Sequence, residues 1–432
     1  MSTTSSTSAV SPGGIEPPEP DLTPREMIAR AVALRPELIA RQAEVEVRTY
    51  PSEEMEEKFR AAGFYRLYVP RRYGGYEFDV PTYVRVMQEL ARGDVSSAWC
   101  VALAAGHALQ IASWWEEPAQ AEIFGDGDFR AAAVAAPVGM ATKTDSGWEL
   151  TGKVSYASGI PYSTHYMGQA LTMEGVAEGE PRPLLFVAPR SEYTVLSDWG
   201  HTLGLKGSGS HSITFERAQL PANWVLVDTN MVDVDPTGGT PGLRLHGNPL
   251  YGGRAGGPFT ITLAAVIVGA AYNALDALED LMRTKTTFLP PPILRMHDED
   301  SQRWLGHAMA RVALLEAAVH QAAEMHMECC RRAVEEGIPF SYEDDLRVAM
   351  IAREAFLDLW EVMARDVFRA AGSSGAVNGE RMERVFRDMA MIAGHGNSRL
   401  REYAHREVAL LKLGLPPQGT TIAPQDAKPT QR

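Results

Sequence analysis

The stretch "GWELTGKVSYASGI" (147–160) alternates apolar Trp148, Leu150 and Val154 with polar Glu149, Thr151 and Lys153, then breaks at a serine–glycine turn. Alternation puts successive side chains on opposite faces of an extended chain, so a half-buried strand is expected here. The runs "HYMGQALTM", "PLLFVAPR" and "SHSITFERAQL" are equally short and lie between Gly, Pro, Ser and Asp breakers, so residues 131–227 read as a β domain.

On both sides the apolar period changes to that of a helix. Residues 22–130 open with Thr23 as N-cap, Pro24 at the first helical position and Glu26 behind it, which predicts a capped helix and an N-terminal helical domain. Residues 259–415 carry stripes at steps of three and four, Leu305, Met309, Val312, Leu315, Val319 and Phe356, Leu359, Met363, Val367, as a C-terminal helical bundle would. Between β domain and bundle, the Gly-rich segment 228–258 reads as a lid or substrate loop. The termini, 1–21 and 416–432, read as disordered tails.

Composition narrows the function. A chain of 432 residues with 45% hydrophobic and 22% charged residues suits a soluble protein of several packed subdomains. A net charge of −14 repels phosphate backbones, and no basic run offsets it, so nucleic acid is excluded as a partner. The most apolar segment, residues 259–275, is shorter than a membrane span and holds polar residues, so it reads as a buried helix and no membrane is expected. Three cysteines and an N-terminus without a signal-peptide pattern fit a reducing cytoplasm.

Familiar chemical motifs fail one after another. "GLKGSGS" (204–210) lies between strands with no helix after it, so it reads as a turn rather than a phosphate cradle. "HQAAEMHMECC" (320–330) lacks the second Glu-x-x-His copy that a di-metal bundle requires, so no metal is expected. No G-x-S-x-G elbow occurs. Two histidines remain. His107 lies in an apolar helix, and His395 stands between two glycines in "RDMAMIAGHGNSR" (387–399), where the missing side chains let a flat ligand or a backbone approach.

Six landmarks taken in order carry a family resemblance: "GFYRLYVPRRYGG", "ARGDVSSAW", "GWELTGKVSYASGI", "WGHTLGLKGSGSHSITFE", "KTTF" and "AGSSGAVNGERMERVFRDMAMIAGHG". From about residue 24 to 415 the chain resembles the acyl-CoA dehydrogenase fold, and within it the group D two-component flavin-dependent monooxygenases. That resemblance implies an α+β fold with an N-terminal helical domain, a middle β-barrel-like domain and a C-terminal four-helix bundle. It implies that Ser158 faces flavin N5 through its hydroxyl and backbone N–H, with Tyr156, Ala157 and Gly159 along the ring edge. Lys285 and Phe288 fall where the family has Arg-x-x-Phe on the flavin tail, lysine being a departure that loses the guanidinium fork. Gly372 and Ser373 match a glycine pair that reaches a neighbouring subunit's cofactor, and Arg387 and Asp388 match a structural Arg-Asp pair.

Where the dehydrogenases carry a carboxylate base, this chain has "GHGN" and no acid between Asp388 and Glu402. The resemblance therefore favours an oxygenase that takes reduced FMN or FAD from a separate reductase. With O2 it would form a C4a-(hydro)peroxyflavin and hydroxylate or N-oxygenate a small organic substrate, His395, His107 and Ser158 being the catalytic candidates. A cytoplasmic homotetramer is implied with it. A dehydrogenase with an atypical base, and a cofactor-free structural paralogue, are the alternatives.

Overall fold

The computed structural model describes residues 15–418 except 126, 177–178 and 233. Its elements follow the helical, β, helical order of the sequence. The first part holds α1 (Pro24–Arg48), α2 (Glu53–Ala61), α3 (Val80–Gly93), α4 (Val95–Trp114) and α5 (Glu117–Phe124). Thr23 caps α1 through a capping box with Glu26, and Asp94 caps α4 by accepting from Ser97 N. Each side-chain acceptor satisfies an N–H that the first helical turn leaves free.

The strands are β1 (Ala131–Thr144), β2 (Gly147–Val154), β3 (His165–Thr172), β4 (Arg182–Pro189), β5 (Thr194–Val195), β6 (Ile213–Pro221) and β7 (Val225–Val227). They form one sheet in the order β5-β6-β2-β1-β3-β4-β7, antiparallel except for the parallel pair β1–β3. Among the described residues the middle domain is this one mixed sheet, with β5 and β7 at its edges. Trp148, Leu150, Val154, Tyr166, Phe186 and Phe215 are buried together in its core, and β1 shifts register twice against β3 around Pro137, which cannot donate to a ladder.

Segment 228–258, read as a lid or substrate loop, is packed against the body of the protein. It contains α6 (Pro241–His246), capped by Thr240, and Tyr251 and Leu250 are buried. Gly242 lies so close to α4 that a Cβ there would stand 1.8 Å from Ala112 O, so the segment is docked through glycine. The tail boundary also moves. Ile15 pairs with Tyr73 and Arg30 bonds to Glu19, so residues 15–21 belong to the fold, whereas residues 1–14 and 419–432 lie outside the described residues.

The last part comprises α7 (Gly256–Thr284), α8 (Glu299–Glu335), α9 (Tyr342–Val362), α10 (Phe368–Ala371), α11 (Arg381–Ala393) and α12 (Gly396–Lys412). The stripe on α9 and the turn beyond it is buried as read. That on α8 is shifted: Ala308, Val312, Leu315 and Val319 face the core, and Met309 faces out. Helices α4 and α7 are long and apolar enough to cross a membrane by length and composition, but almost all of each is buried in protein, as core helices are.

Candidate functional site

The "YASGI" turn leaves the sheet at the end of β2 under visible backbone strain. Tyr156 has φ +68°, a left-handed conformation that bulky residues avoid, and its ring is 54% exposed with its edge on Trp199. Gly159 also has positive φ, and a Cβ there would press within 3.3 Å of Cys100 O. Backbone bonds lash the turn to the segment before β6: Ala157 N donates to His211 O at 3.2 Å and Gly159 N to Ser208 O at 2.9 Å. Ser158 N donates to Tyr156 O at 2.9 Å, so this N–H is already engaged within the turn.

The Ser158 hydroxyl is buried in a row of polar groups. Trp99 Nε1 donates to it at 3.1 Å, Ser210 Oγ lies 2.7 Å away, Ser208 Oγ is 2.6 Å further along, and Ser208 donates to Leu205 O at 2.7 Å. "GLKGSGS" is therefore the wall behind "YASGI", a short 3₁₀ turn with Leu205 and Gly209 in left-handed conformation. Its anchor is the Arg-Asp pair. Asp388 Oδ1 accepts from Leu205 N at 2.6 Å, and Arg387 pairs with Glu46 and Glu383. Burial, with Asp94 adding repulsion, pushes the Asp388 carboxyl up to about 7.

Trp99 also joins Ser158 to His395, whose ring meets the indole edge-on with centroids 5.7 Å apart. His395 is the N-cap of α12: its Nδ1 accepts from Asn397 N at 3.1 Å, which fixes the neutral ring with its proton on Nε2. The residue as a whole is exposed, while the protein packed around its ring desolvates the imidazole and pushes its pKa down to about 4. A Cβ at Gly396 would meet nothing within 4 Å, so the glycines clear space beside the ring rather than admit a neighbour from this chain.

Behind His395 lies a buried polar chain that the sequence reading missed. Asn397 Oδ1 accepts from Arg353 Nε at 3.1 Å and from Thr260 Oγ1 at 3.4 Å. Asp345 accepts from Gly256 N and Gly257 N at the start of α7, and its burial pushes it up to about 6. Arg353, Asp345 and Thr260 sit 42 or more positions from His395 in sequence, so only the fold brings them together. Trp99 was within reach, since it closes the "ARGDVSSAW" landmark.

The other candidates lie elsewhere. His107 is two turns beyond Trp99 on α4, about 12 Å along the helix. Its Nδ1 bonds Ala131 O at 2.7 Å, its ring meets Phe259 at 5.9 Å, and burial pushes it down to about 4. Lys285, Phe288, Gly372 and Ser373 gather at the far end of α7, where Arg295 bridges them by bonding Lys285 O and Ala371 O. Asn273 on α7 sits against Gly93 O at the end of α3, and Lys285 is about 18 Å beyond it along α7. Within one chain this second group lies apart from Ser158 and His395. Phe288 is 98% exposed. No group of three or more metal-ligating side chains occurs among the described residues; His326 and Cys330, from the histidine–cysteine run, contact each other at 3.5 Å.

Family models for the N-terminal and C-terminal domains of acyl-CoA dehydrogenase match residues 22–122 and 261–399, together more than half of the chain. The chain belongs to the acyl-CoA dehydrogenase family. Among curated members of this family's oxygenase branch, it is 27% identical to the pigment production hydroxylase of Rhodococcus sp. over 87% of this chain and 93% of that protein. It is 30% identical to the flavin-dependent monooxygenase oxygenase subunit HsaA of Rhodococcus jostii, over 57% of this chain and 63% of that one. The acyl-CoA dehydrogenase fold is shared with XiaF from Streptomyces sp., solved in complex with FADH2 and glycerol, at TM-score 0.82 and 23% identity over 92% of this chain and 97% of that one.

Proposed function

We propose that the protein is the oxygenase component of a two-component flavin-dependent monooxygenase that hydroxylates or N-oxygenates a small organic molecule. The observation that carries this is the contiguous set Ser158, Trp99 and His395, with an imidazole where a dehydrogenase of this family needs a carboxylate. An imidazole whose Nε2 bears the proton is a hydrogen-bond donor, and a donor suits an oxygen-bearing partner better than it suits α-proton abstraction from a thioester.

The residues fit a flavin. Tyr156, exposed and held in a strained turn, offers a flat face; Gly159 keeps the turn slim; and Ser158 Oγ retains a lone pair for a ring N–H. Reduced FMN or FAD, when bound there, supplies the electrons that activate O2. Ser158 would hold the ring's N–H, His395 Nε2 would offer its proton to an oxygen at the ring, and the apolar surroundings of Trp99 would exclude water. His107, packed against Phe259, would serve as a second polar contact for substrate.

The same reading includes a separate flavin reductase, in line with relatives named as oxygenase components, and a cytoplasmic location, which suits three free cysteines. A homotetramer completes it. Exposed apolar Phe288, Leu289, Trp304, Met309 and Leu314 crowd the α7–α8 connection and α8, and Lys285, Phe288, Gly372 and Ser373 reach a flavin only if it sits on another subunit. The test is to supply photoreduced flavin and 18O2 with a panel of phenols, indoles and amines. A product carrying one 18O atom is expected; dye-linked oxidation of acyl thioesters with no oxygenated product would overturn the reading.

A further inference from the structure

The row from Trp99 to Leu205 admits one arrangement of protons. A carbonyl only accepts, so Ser208 spends its single hydroxyl proton on Leu205 O. For the 2.6 Å contact to be a hydrogen bond, Ser210 must then donate to Ser208. By the same step Ser158 must donate to Ser210 across 2.7 Å. At the other end the indole of Trp99 only donates, and it fills one lone pair of Ser158 Oγ. Ser158 therefore has no proton left to give and one lone pair left to receive. Ser158, Ser208 and Ser210 are all buried, so water does not replace a lost partner.

We propose that Ser210 and Ser208 are positioning residues that hold Ser158 as an obligate acceptor, so that the site selects reduced flavin, which carries an N–H at N5, over oxidised flavin, which carries only a lone pair there. This rests on the reading that flavin docks against Ser158. Oxidised flavin would face lone pair against lone pair, or would force Ser158 to turn its proton away from Ser210 and leave a buried acceptor without a donor. Such selection suits a protein that receives flavin already reduced and must release it after oxidation.

Anaerobic and aerobic equilibrium titrations of the full chain with dithionite-reduced and with oxidised FMN and FAD give the ratio of the two dissociation constants. The native protein should favour the reduced form by about tenfold or more, a difference of about 1.4 kcal/mol. Ser210→Ala removes the acceptor of the Ser158 proton, and Ser208→Ala lets the Ser210 hydroxyl turn to donate to Ser158. Both free Ser158 to donate, so both should strengthen binding of oxidised flavin and bring the ratio close to one. Ser210→Thr keeps a hydroxyl and should keep the ratio. A merely structural role would weaken both forms alike. Circular dichroism checks each variant's fold, and Ser208→Ala serves if Ser210→Ala does not fold. A ratio unchanged in folded alanine variants overturns the serine-row proposal while leaving flavin binding intact. A native protein that binds neither form overturns the flavin reading itself.

Discussion

His395 shows how one backbone bond decides a side chain's chemistry. With Nδ1 occupied by Asn397 N and the pKa pushed down to about 4, the ring is neutral with a proton on Nε2 throughout the pH 6–8 range. His395→Ala should lower product formation by about 10²-fold or more, the scale of a lost proton donor or acceptor, while the dissociation constant for reduced flavin stays nearly unchanged. His395→Gln, which keeps an N–H, should recover part of the rate, and native turnover should show no titration near pH 6.5. Product assays on both variants across pH check this. The sequence already set His395 apart through its flanking glycines. It did not reveal the N-cap bond or the Trp99 contact, because the first depends on how the helix starts and the second joins segments almost 300 residues apart.

At the scale of elements, period two against period 3.6 located the sheet and the helices, because alternation and amphipathic stripes are local consequences of burying one face. The reading went astray where burial was not periodic. Segment 228–258 is rich in glycine and read as a lid or substrate loop, yet Gly242 within it allows close packing of α6 on α4. Gly242→Val should therefore undock it, destabilising the protein by about 2 kcal/mol or more through overpacking. Limited proteolysis checks this: cleavage within 228–258 should be slow in the native protein and fast in the variant. Met309 was misplaced for a related reason, since Ala308 fits the crowded α8 interface that the larger side chain does not.

For the whole molecule, burial of ionisable groups sets opposing pH dependences. His326 is buried against Cys330 and Phe340, and desolvation pushes it from 6.5 to about 4. The unfolded chain takes up that proton near pH 6.5 and the folded one does not, so stability present above pH 6.5 is lost as the pH falls toward 4. Asp388, pushed up to about 7, acts in the opposite sense: its contribution is complete below the unfolded value near 3.8 and is lost as the pH rises through 7. Relative to native protein, His326→Gln should gain in Tm as the pH falls from 7 to 4.5, whereas Asp388→Asn should gain as it rises from 5 to 8. Thermal melts across pH check both signs. The proposed homotetramer is tested at the same scale. Leu314→Glu, placing a charge on an exposed apolar stretch of α8, should shift the sedimentation profile to smaller species.

The three residues that meet at Trp99 come from the first helical part, the sheet and the last helix. Any ligand that touches all of them acts as a tie across the whole chain, for it binds only when the three parts are in register. At a free concentration of 100 times Kd, such a ligand adds about 2.7 kcal/mol to the stability of the entire fold. Occupancy of that site and integrity of the fold are then one equilibrium, and heat resistance reports the ligand as directly as turnover does.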